Sequence, residues 1–598
     1  MNIKDALRSV QLGQEHQPPK PLMTPWGETL DKKHVHEEYP RPQMVRNQWE
    51  CLNGWWDYCF VSATDIHQSF PPKSWDGKIL VPFSPESILS GVERQLKPGE
   101  YLWYHRRLKI EHIGKNQRCL LHFGAVDERC HGYVNGKCVG SHRGGYLPFE
   151  WDITAYLHEG MNELYLLVRD DSEYSEAGKG KQKCQRGGMF YTAQSGIWQT
   201  VWMEWVPENY IRGLKIIPDY DGDRIQVEID CLREAGKYTA AVFDGNQCVA
   251  LETGESSVIT LHIPEKKVWS PEQPFLYDLE ISADEDRVKS YFAMRIFTME
   301  KDEQGILRTC LNHRFYFQNG VLDQGYWPDG LYTPPSDEAL IFDIQSMKNL
   351  GFNMLRKHAK IESLRWYYHC DRLGMLVWQD MVNGGGTYSP VLLCYLPTGV
   401  ARFRKMKKDH PSITGRRDIR AQRRWLEDSG KTVDLLFNSP SVACWVPFNE
   451  GWGQFDTEKV TQRIRMQDKS RWIDSASGWF DMGCGDFVSE HNYFRKLTVR
   501  HESDRAFVLS EYGGYACRIP EHSTVENVYG YRTYEDMDSF SDAFRELLDK
   551  ELKPLIEEGL CAAVYTQLSD IEEEANGLWT YDRKVCKITV NTVKKRKK

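Results

Sequence analysis

Long apolar runs are missing from this sequence. No stretch approaches the roughly 20 residues that a bilayer-spanning helix needs, which excludes a helical membrane anchor within it. The stretch from Met1 to Lys20 is polar and lacks the apolar core of a secretory signal. The 16 cysteines are scattered, with no C-x-x-C pair and no dense framework. Both features point to a cytoplasmic protein with reduced thiols, whose cysteines serve as small buried hydrophobes. There is no H-E-x-x-H zinc motif, no phosphate-cradling glycine loop and no serine nucleophile elbow. His34-Val35-His36 is a lone histidine pair without further ligands, so neither a metal nor a cofactor is expected. Excess positive charge is also absent. A net charge of −9 gives no reason to expect a nucleic-acid partner.

Aromatic residues, by contrast, are abundant: 20 Trp, 30 Tyr and 24 Phe. They suit both β-sandwich cores and the C–H faces of sugars. With 598 residues, the chain is too long for one hydrophobic core, and two to four domains are expected. Residues 1–205 read as β-rich, with short alternating or aromatic runs (Trp55 to Val61, Tyr101 to Ile110, Cys119 to Phe123) separated by turn signals. Asn135-Gly136 is a two-residue hairpin signal. A β-sandwich is the natural architecture. Residues 206–300 carry a second set of short strands, of a length that suits one immunoglobulin-like sandwich. Beyond residue 300 the period changes. Ser336 to Gly351 reads as a capped helix, Phe352 to Arg356 as a strand, Glu362 to Leu373 as a helix and Met375 to Trp378 as a strand. The alternation continues to a long helical stretch, Tyr534 to Glu558, expected to break at Pro554. A last strand follows at Cys561 to Thr566, so residues 301–598 predict a (β/α)8 barrel. The tail from Lys594 to Lys598 is basic and solvated.

Two strand ends carry carboxylates. Val442 to Val446 is a short buried strand, entered through Asn438-Ser439-Pro440 and left through Pro447, and it leads to Asn449-Glu450. Ala506 to Ser510 leads to Glu511. The C-terminal strand ends of a parallel barrel are where chemistry is done. Two carboxylates there are what glycoside cleavage needs: one lends a proton to the leaving oxygen, the other meets the developing oxocarbenium ion. A lone Asn-Glu pair is more often a solvated loop. The aromatic flanks Trp445, Phe448 and Trp452, together with the second carboxylate, argue otherwise.

The pattern Asn438-Ser439-Pro440-Ser441…Trp445…Asn449-Glu450, followed by Ser510-Glu511-Tyr512-Gly513, resembles the β-glycosidases of glycoside hydrolase family 2. The likeness extends through Arg41-Pro42-Gln43, Leu52-Asn53-Gly54-Trp55-Trp56, Phe123-Gly124-Ala125-Val126-Asp127, Ser195-Gly196-Ile197-Trp198-Gln199 and Trp269-Ser270-Pro271-Glu272. It implies a sugar-binding jelly-roll, an immunoglobulin-like spacer and a catalytic barrel, in that order. It further implies a retaining exo-acting enzyme with Glu450 as acid/base and Glu511 as nucleophile. Arg356 would hold the nucleophile ionised, and Asn449 would bond the sugar 2-hydroxyl. His358, Asp380, His491 and Tyr493 stand at strand ends as further substrate-binding candidates, and Trp579 as a stacking platform, each set against a plain packing role.

The sugar is less determined. β-Galactoside is the family's commonest specificity and the first expectation. Trp378-Gln379-Asp380 resembles the β-mannosidase branch and keeps that sugar open. A basic run (Arg402, Arg404, Lys405, Lys407, Lys408, then Arg416, Arg417, Arg420, Arg423, Arg424) keeps an acidic sugar such as glucuronide open, although such runs are more often solvated helix faces. The family's glucuronidases carry Asn-x-Lys-Gly near the last strand. The corresponding Glu574-Ala575-Asn576-Gly577 lacks both its Asn and its Lys, which counts against glucuronide. The alternative of another class is a non-catalytic carbohydrate-binding protein; a metal-dependent barrel hydrolase is disfavoured because His and Asp do not cluster at strand ends. The expected partner is a carbohydrate substrate, with homo-oligomerisation left open.

Overall fold

A computed structural model describes residues 19–66, 70–386, 392, 393, 397 and 408–588. Arg402, Arg404, Lys405, Lys407 and the tail from Lys594 lie outside the described residues.

The N-terminal domain is a sandwich of two antiparallel sheets. In the six-stranded sheet, Gly54–Ser62, Glu100–Ile110 and Gly160–Arg169 lie at the centre. The four-stranded sheet is built on Gln117–Phe123 and Val201–Pro207. Leu102, Tyr104, Leu121, Phe123, Leu166 and Val201 meet between them in a common core. Asn135-Gly136 makes the tight turn between Arg129–Val134 and Lys137–Arg143, with both residues at positive φ (50° and 78°), as a type I′ hairpin requires. The second domain is a smaller sandwich of a three-stranded and a four-stranded sheet over residues 211–292. Its alternating strands (Tyr277–Ala283, exposed every second residue) close over Ile225, Val227, Leu261 and Leu279.

A short meander, Phe297–Lys301 with Leu307–Leu311 and Arg314–Phe315, leads into the barrel. Phe297 and Leu311 plug its N-terminal end, packing with Trp472, Leu376 and Val508 of the barrel core. The barrel strands are β1 (Gln318–Asp323), β2 (Met354–Lys357), β3 (Leu376–Asp380), β4 (Val442–Val446), β5 (Trp472–Ile473), β6 (Phe487–Asn492), β7 (Ala506–Gly513) and β8 (Leu560–Thr566). They pair in parallel in the order β5-β4-β3-β2-β1-β8-β7-β6. The remaining seam, between β5 and β6, is bridged by Asp486: its N–H donates to Ile473 O at 2.9 Å, and Ile473 N–H donates to its side chain at 2.7 Å. Helix α1 (Asp337–Asn349) is capped by Ser336, whose hydroxyl accepts from Ala339 N–H. α2 (Leu364–Leu373) ends at Gly374 in the left-handed conformation.

The C-terminal helix departs from expectation ahead of its proline. α3 (Met537–Glu546) passes into a π-helical turn, Leu547–Leu552, and Pro554 falls within the first turn of the next helical segment, Lys553–Glu558. The wider turn makes room for a residue that cannot donate and whose ring would crowd the carbonyl four residues back.

The sandwiches are fixed to the barrel by specific polar contacts. Trp269 Nε1 donates to Asp371 O (2.8 Å) and Tyr291 OH to Asp371 Oδ2 (2.8 Å). The first sandwich reaches the barrel's C-terminal face, where Gly178 bridges Gly384 and Gly188 N–H donates to Glu573 at 2.7 Å.

Candidate active site

Glu450 follows β4 by four residues and is clamped from the next loop. Ser477 N–H donates to Phe448 O (2.9 Å) and Glu450 N–H donates to Ser477 O (3.0 Å). Glu450 itself takes φ +52°, a left-handed conformation unusual for a non-glycine residue and of the kind found where a side chain is aimed for function. The clamp directs Glu450 Oε1 to His491 Nδ1, 2.8 Å away at the end of β6. His491 Nε2 lies 3.0 Å from Ser477 Oγ and 3.6 Å from Glu511 Oε1. One side-chain atom each of Glu450, His491 and Glu511 therefore lies within 4.8 Å of the others. This is also the one group of His and carboxylates, among the described residues, close enough together to hold a metal ion. An ion there would occupy both carboxylates.

Glu511 is buried near the end of β7. Arg356, on β2 and fully buried, donates Nη1 to Glu511 Oε1 (3.2 Å) and to Ser510 O (3.0 Å). Its Nη2 donates to Asn449 Oδ1 at 2.8 Å. The far side of the guanidinium forks onto Asp380 (2.9 and 3.0 Å), and His358 Nδ1 meets the same Asp380 at 2.6 Å. One arginine thus fixes the nucleophile candidate, the amide beside Glu450 and the carboxylate at the end of β3. Tyr493 OH donates to Glu511 Oε2, and its ring stacks on Tyr531 (centroids 3.9 Å apart, planes 12° apart).

The electrostatics follow from these contacts. Burial alone would push the Glu511 carboxyl up; the His491, Arg356 and His358 charges and the Tyr493 hydrogen bond outweigh it and hold it at about 2. Asp380 is likewise pushed up by burial but ends below its ordinary range, because of Arg356 and His358. Burial, reinforced by the Glu511 and Glu450 charges, drives the Tyr493 phenol far above its usual value, so it stays a donor. Behind the site, burial raises Asp474 to about 6; its Oδ2 takes the Ser489 hydroxyl at 2.8 Å.

The structure brings eight of the nine residues picked from the sequence into this one network. Trp579 stays apart. Its ring packs edge-on against Phe342 of α1 (5.0 Å, 73°) and against the helix-side core, as in the packing role weighed against a stacking platform. Following the last strand in sequence does not put a residue over the barrel mouth.

Several site residues give no signal in the sequence. Tyr531 sits in a loop far from any motif. Phe190 reaches in from the first sandwich and stacks on Trp452, two residues past Glu450 (5.7 Å, 23°). Above β1 and β8, Glu574 accepts from Tyr191 OH and Gln567 Nε2 (3.2 Å), and Gln324 Nε2 reaches Gln567 Oε1 at 2.6 Å. Only their places just beyond strand ends could have marked Gln324 and Gln567. The basic run divides: Arg417, Arg420 and Arg423 are exposed, as a solvated face predicts, whereas Arg416 is buried.

Three family models match consecutive parts of the chain: "Glycosyl hydrolases family 2, sugar binding domain" over residues 88–205, "Glycosyl hydrolases family 2" over 209–295, and "Glycosyl hydrolases family 2, TIM barrel domain" over 335–585. Among curated relatives, a putative beta-glucuronidase of Formosa agariphila is 24% identical over 502 residues, covering 78% of this chain and 56% of that protein. A beta-galactosidase of Lactococcus lactis subsp. lactis is 29% identical over 315 residues, covering 49% and 30%. The chain thus spans about half or less of the length of these curated relatives. Among solved structures, a Ruminococcus gnavus beta-glucuronidase superposes with TM-score 0.72 at 16% identity, covering 92% of this chain and 97% of that one. A beta-galacturonidase from Eisenbergiella tayi superposes with TM-score 0.68 at 17% identity, covering 93% and 97%. At these identities the superpositions establish a shared fold.

Proposed function

The chain belongs to glycoside hydrolase family 2, and from that premise we propose that it is a retaining exo-β-glycosidase with Glu511 as nucleophile and Glu450 as acid/base. The observation that carries this reading is the closeness of the two carboxylates, with side-chain oxygens within 4.8 Å. Retaining enzymes hold their carboxyl groups about 5–5.5 Å apart, whereas inverting ones leave about 6.5–9.5 Å for a water. In the first step the ionised Glu511 attacks the anomeric carbon while Glu450 gives its proton to the departing oxygen. In the second, Glu450 takes a proton from water, and the resulting hydroxide displaces Glu511 from the sugar. Arg356 and Tyr493 keep Glu511 ionised and aimed. Asn449, held by Arg356, is placed to bond the 2-hydroxyl.

A β-galactoside is the first reading for the sugar, in line with the relatives named beta-galactosidase. The loop after β8 supports a neutral sugar. Glu572, Glu573 and Glu574 lie there, and Glu574 bridges Tyr529, whose ring meets that of Tyr531 (centroids 5.9 Å apart). Arg186 is engaged by Glu572 (3.5 Å) and Glu573 (3.8 Å). A uronide is the second reading, favoured by the solved proteins of the same fold named beta-glucuronidase and beta-galacturonidase.

Hydrolysis of nitrophenyl β-galactoside, glucuronide, mannoside, glucoside and arabinoside by the purified protein tests both levels. One preferred substrate, with turnover lost by several orders of magnitude in Glu511→Gln, is expected. Near-wild-type turnover in a folded Glu511→Gln protein would overturn the nucleophile assignment. No turnover, and no trapping by a fluorinated glycoside, would favour a binding protein.

A further inference from the structure

His491 stands between the two candidate catalytic carboxylates, yet its side chain is 0% exposed, whereas that of Glu450 is 10% exposed. No sugar hydroxyl reaches an enclosed ring, so the part His491 plays runs through its neighbours. They hold it closely. Gly478 lies at φ +93°, and a Cβ there would meet Cγ and Nδ1 of the imidazole at 2.8 Å. The Trp479 ring stands edge-on to it, with centroids 5.3 Å apart. Ser477 Oγ meets Nε2 at 3.0 Å, while Glu511 Oε1, at 3.6 Å, is beyond hydrogen-bond reach. The ring is therefore aimed at Glu450, whose Oε1 lies 2.8 Å from Nδ1.

Glu450 needs such an anchor. It lies beyond the end of β4 in a left-handed backbone conformation (φ +52°), and no regular element fixes its side chain. Its two oxygens differ. Oε1 is taken by His491; Oε2 accepts no hydrogen bond among the described residues and is not enclosed. A contact of 2.8 Å between a carboxyl oxygen and an imidazole nitrogen holds one proton. Were that proton the acid's own, on Oε1, it would point into the ring and away from the sugar.

We propose that His491 is a positioning residue for proton transfer: its Nδ1–H donates to Glu450 Oε1 and leaves Oε2 to carry the proton exchanged with the glycosidic oxygen. The inference rests on the reading of Glu450 as acid/base. In the first step the O–H bond at Oε2 breaks, its proton goes to the departing oxygen, and Glu450 becomes a carboxylate. In the second, water gives a proton back to Oε2 as its oxygen displaces Glu511 from the sugar. The imidazole gains and loses none. Its hydrogen bond becomes charge-assisted as Glu450 ionises, and such bonds are roughly twice as strong as neutral ones. The gain falls in the transition state rather than in substrate binding, so it acts on kcat more than on KM.

The test compares two polar variants of the full chain. Asn carries its amide nitrogen on Cγ, as Nδ1 is carried, whereas Gln carries it one atom further, toward Ser477. In His491→Gln, kcat/KM for an alkyl glycoside of the preferred sugar should fall about a hundredfold, and that for the dinitrophenyl glycoside about tenfold or less, since its leaving group needs no proton. His491→Asn should recover most of the alkyl-glycoside loss. No loss in His491→Gln, equal losses there on the two substrates, a change confined to KM, or an Asn variant no better than the Gln variant would each overturn the proposal. Glu450→Ala, measured alongside, keeps the two levels apart. If it too loses both substrates equally, the acid/base assignment fails and takes this inference with it; if it discriminates and His491→Gln does not, only the role of His491 falls.

Discussion

Arg356 shows how much one side chain decides at the scale of the residue. It holds Asp380, Glu511 and Asn449 at once, so its removal takes from two buried carboxylates the cation they share. Arg356→Met should cost about a hundredfold or more in kcat/KM. It should also move the acidic limb of the pH–kcat/KM profile upward, because burial's upward push on Glu511 is then offset only by His491, His358 and Tyr493. In the wild type Glu511 stays ionised down to about pH 2, and its contribution to stability, present above the ordinary carboxylate range, is lost as pH falls toward that value. A wild-type acid limb near the usual glutamate pKa, unchanged in the variant, would contradict this. Glu450→Ala separates the other carboxylate. Hydrolysis of an alkyl glycoside, which needs a protonated leaving group, should fall by orders of magnitude more than that of a dinitrophenyl glycoside, which does not. Equal losses on the two substrates would remove Glu450 as the acid.

At the scale of the element, the Asn135-Gly136 hairpin isolates backbone conformation from packing. Nothing lies within 4 Å of a Cβ built on Gly136, and its φ is +78°. Gly136→Ala should therefore cost only the left-handed backbone penalty, about 1 kcal/mol. Hydrogen exchange of the amides in 129–143 should accelerate about fivefold if local opening dominates. Unchanged exchange would mean that the turn relaxes to another type. Turn, caps and strand periods were legible in the sequence because they are local: Ser336 caps α1, and β4 runs over Val442–Val446 as its apolar run predicts. The π-turn ahead of Pro554 was not. Proline forbids a continuous α-helix, but the packing of Leu547, Leu552 and Leu555 against the barrel decides how the chain accommodates it.

At the scale of the molecule, the first sandwich supplies part of the site. Phe190 stacks on Trp452 beside Glu450, and Thr192 N–H donates to Glu572 at 3.0 Å. Phe190→Ala should raise KM about fivefold, the worth of one aromatic contact of about 1 kcal/mol, with kcat changed less. Its ring stacks on Trp452, two residues from Glu450, and no contact with a reacting group is seen among the described residues. A loss confined to kcat would place Phe190 closer to the chemistry than the stacking geometry does.

The sequence by itself determined the sandwich-then-barrel architecture, the alternation of strand and helix that predicts the barrel, and the placing of Glu450 and Glu511 beyond β4 and on β7. These follow from hydrophobic period, capping and motif order, all carried by neighbours along the chain. Tertiary structure alone decided the rest. It set the spacing of the two carboxylates and placed His491 between them. It brought Phe190 in from another domain, turned Trp579 toward α1 and buried Arg416 against Gly453 O. Such features depend on which strand ends meet across the barrel and which loops close over it. The chain's local chemistry does not contain those distances; closing the barrel under the sandwich sets them.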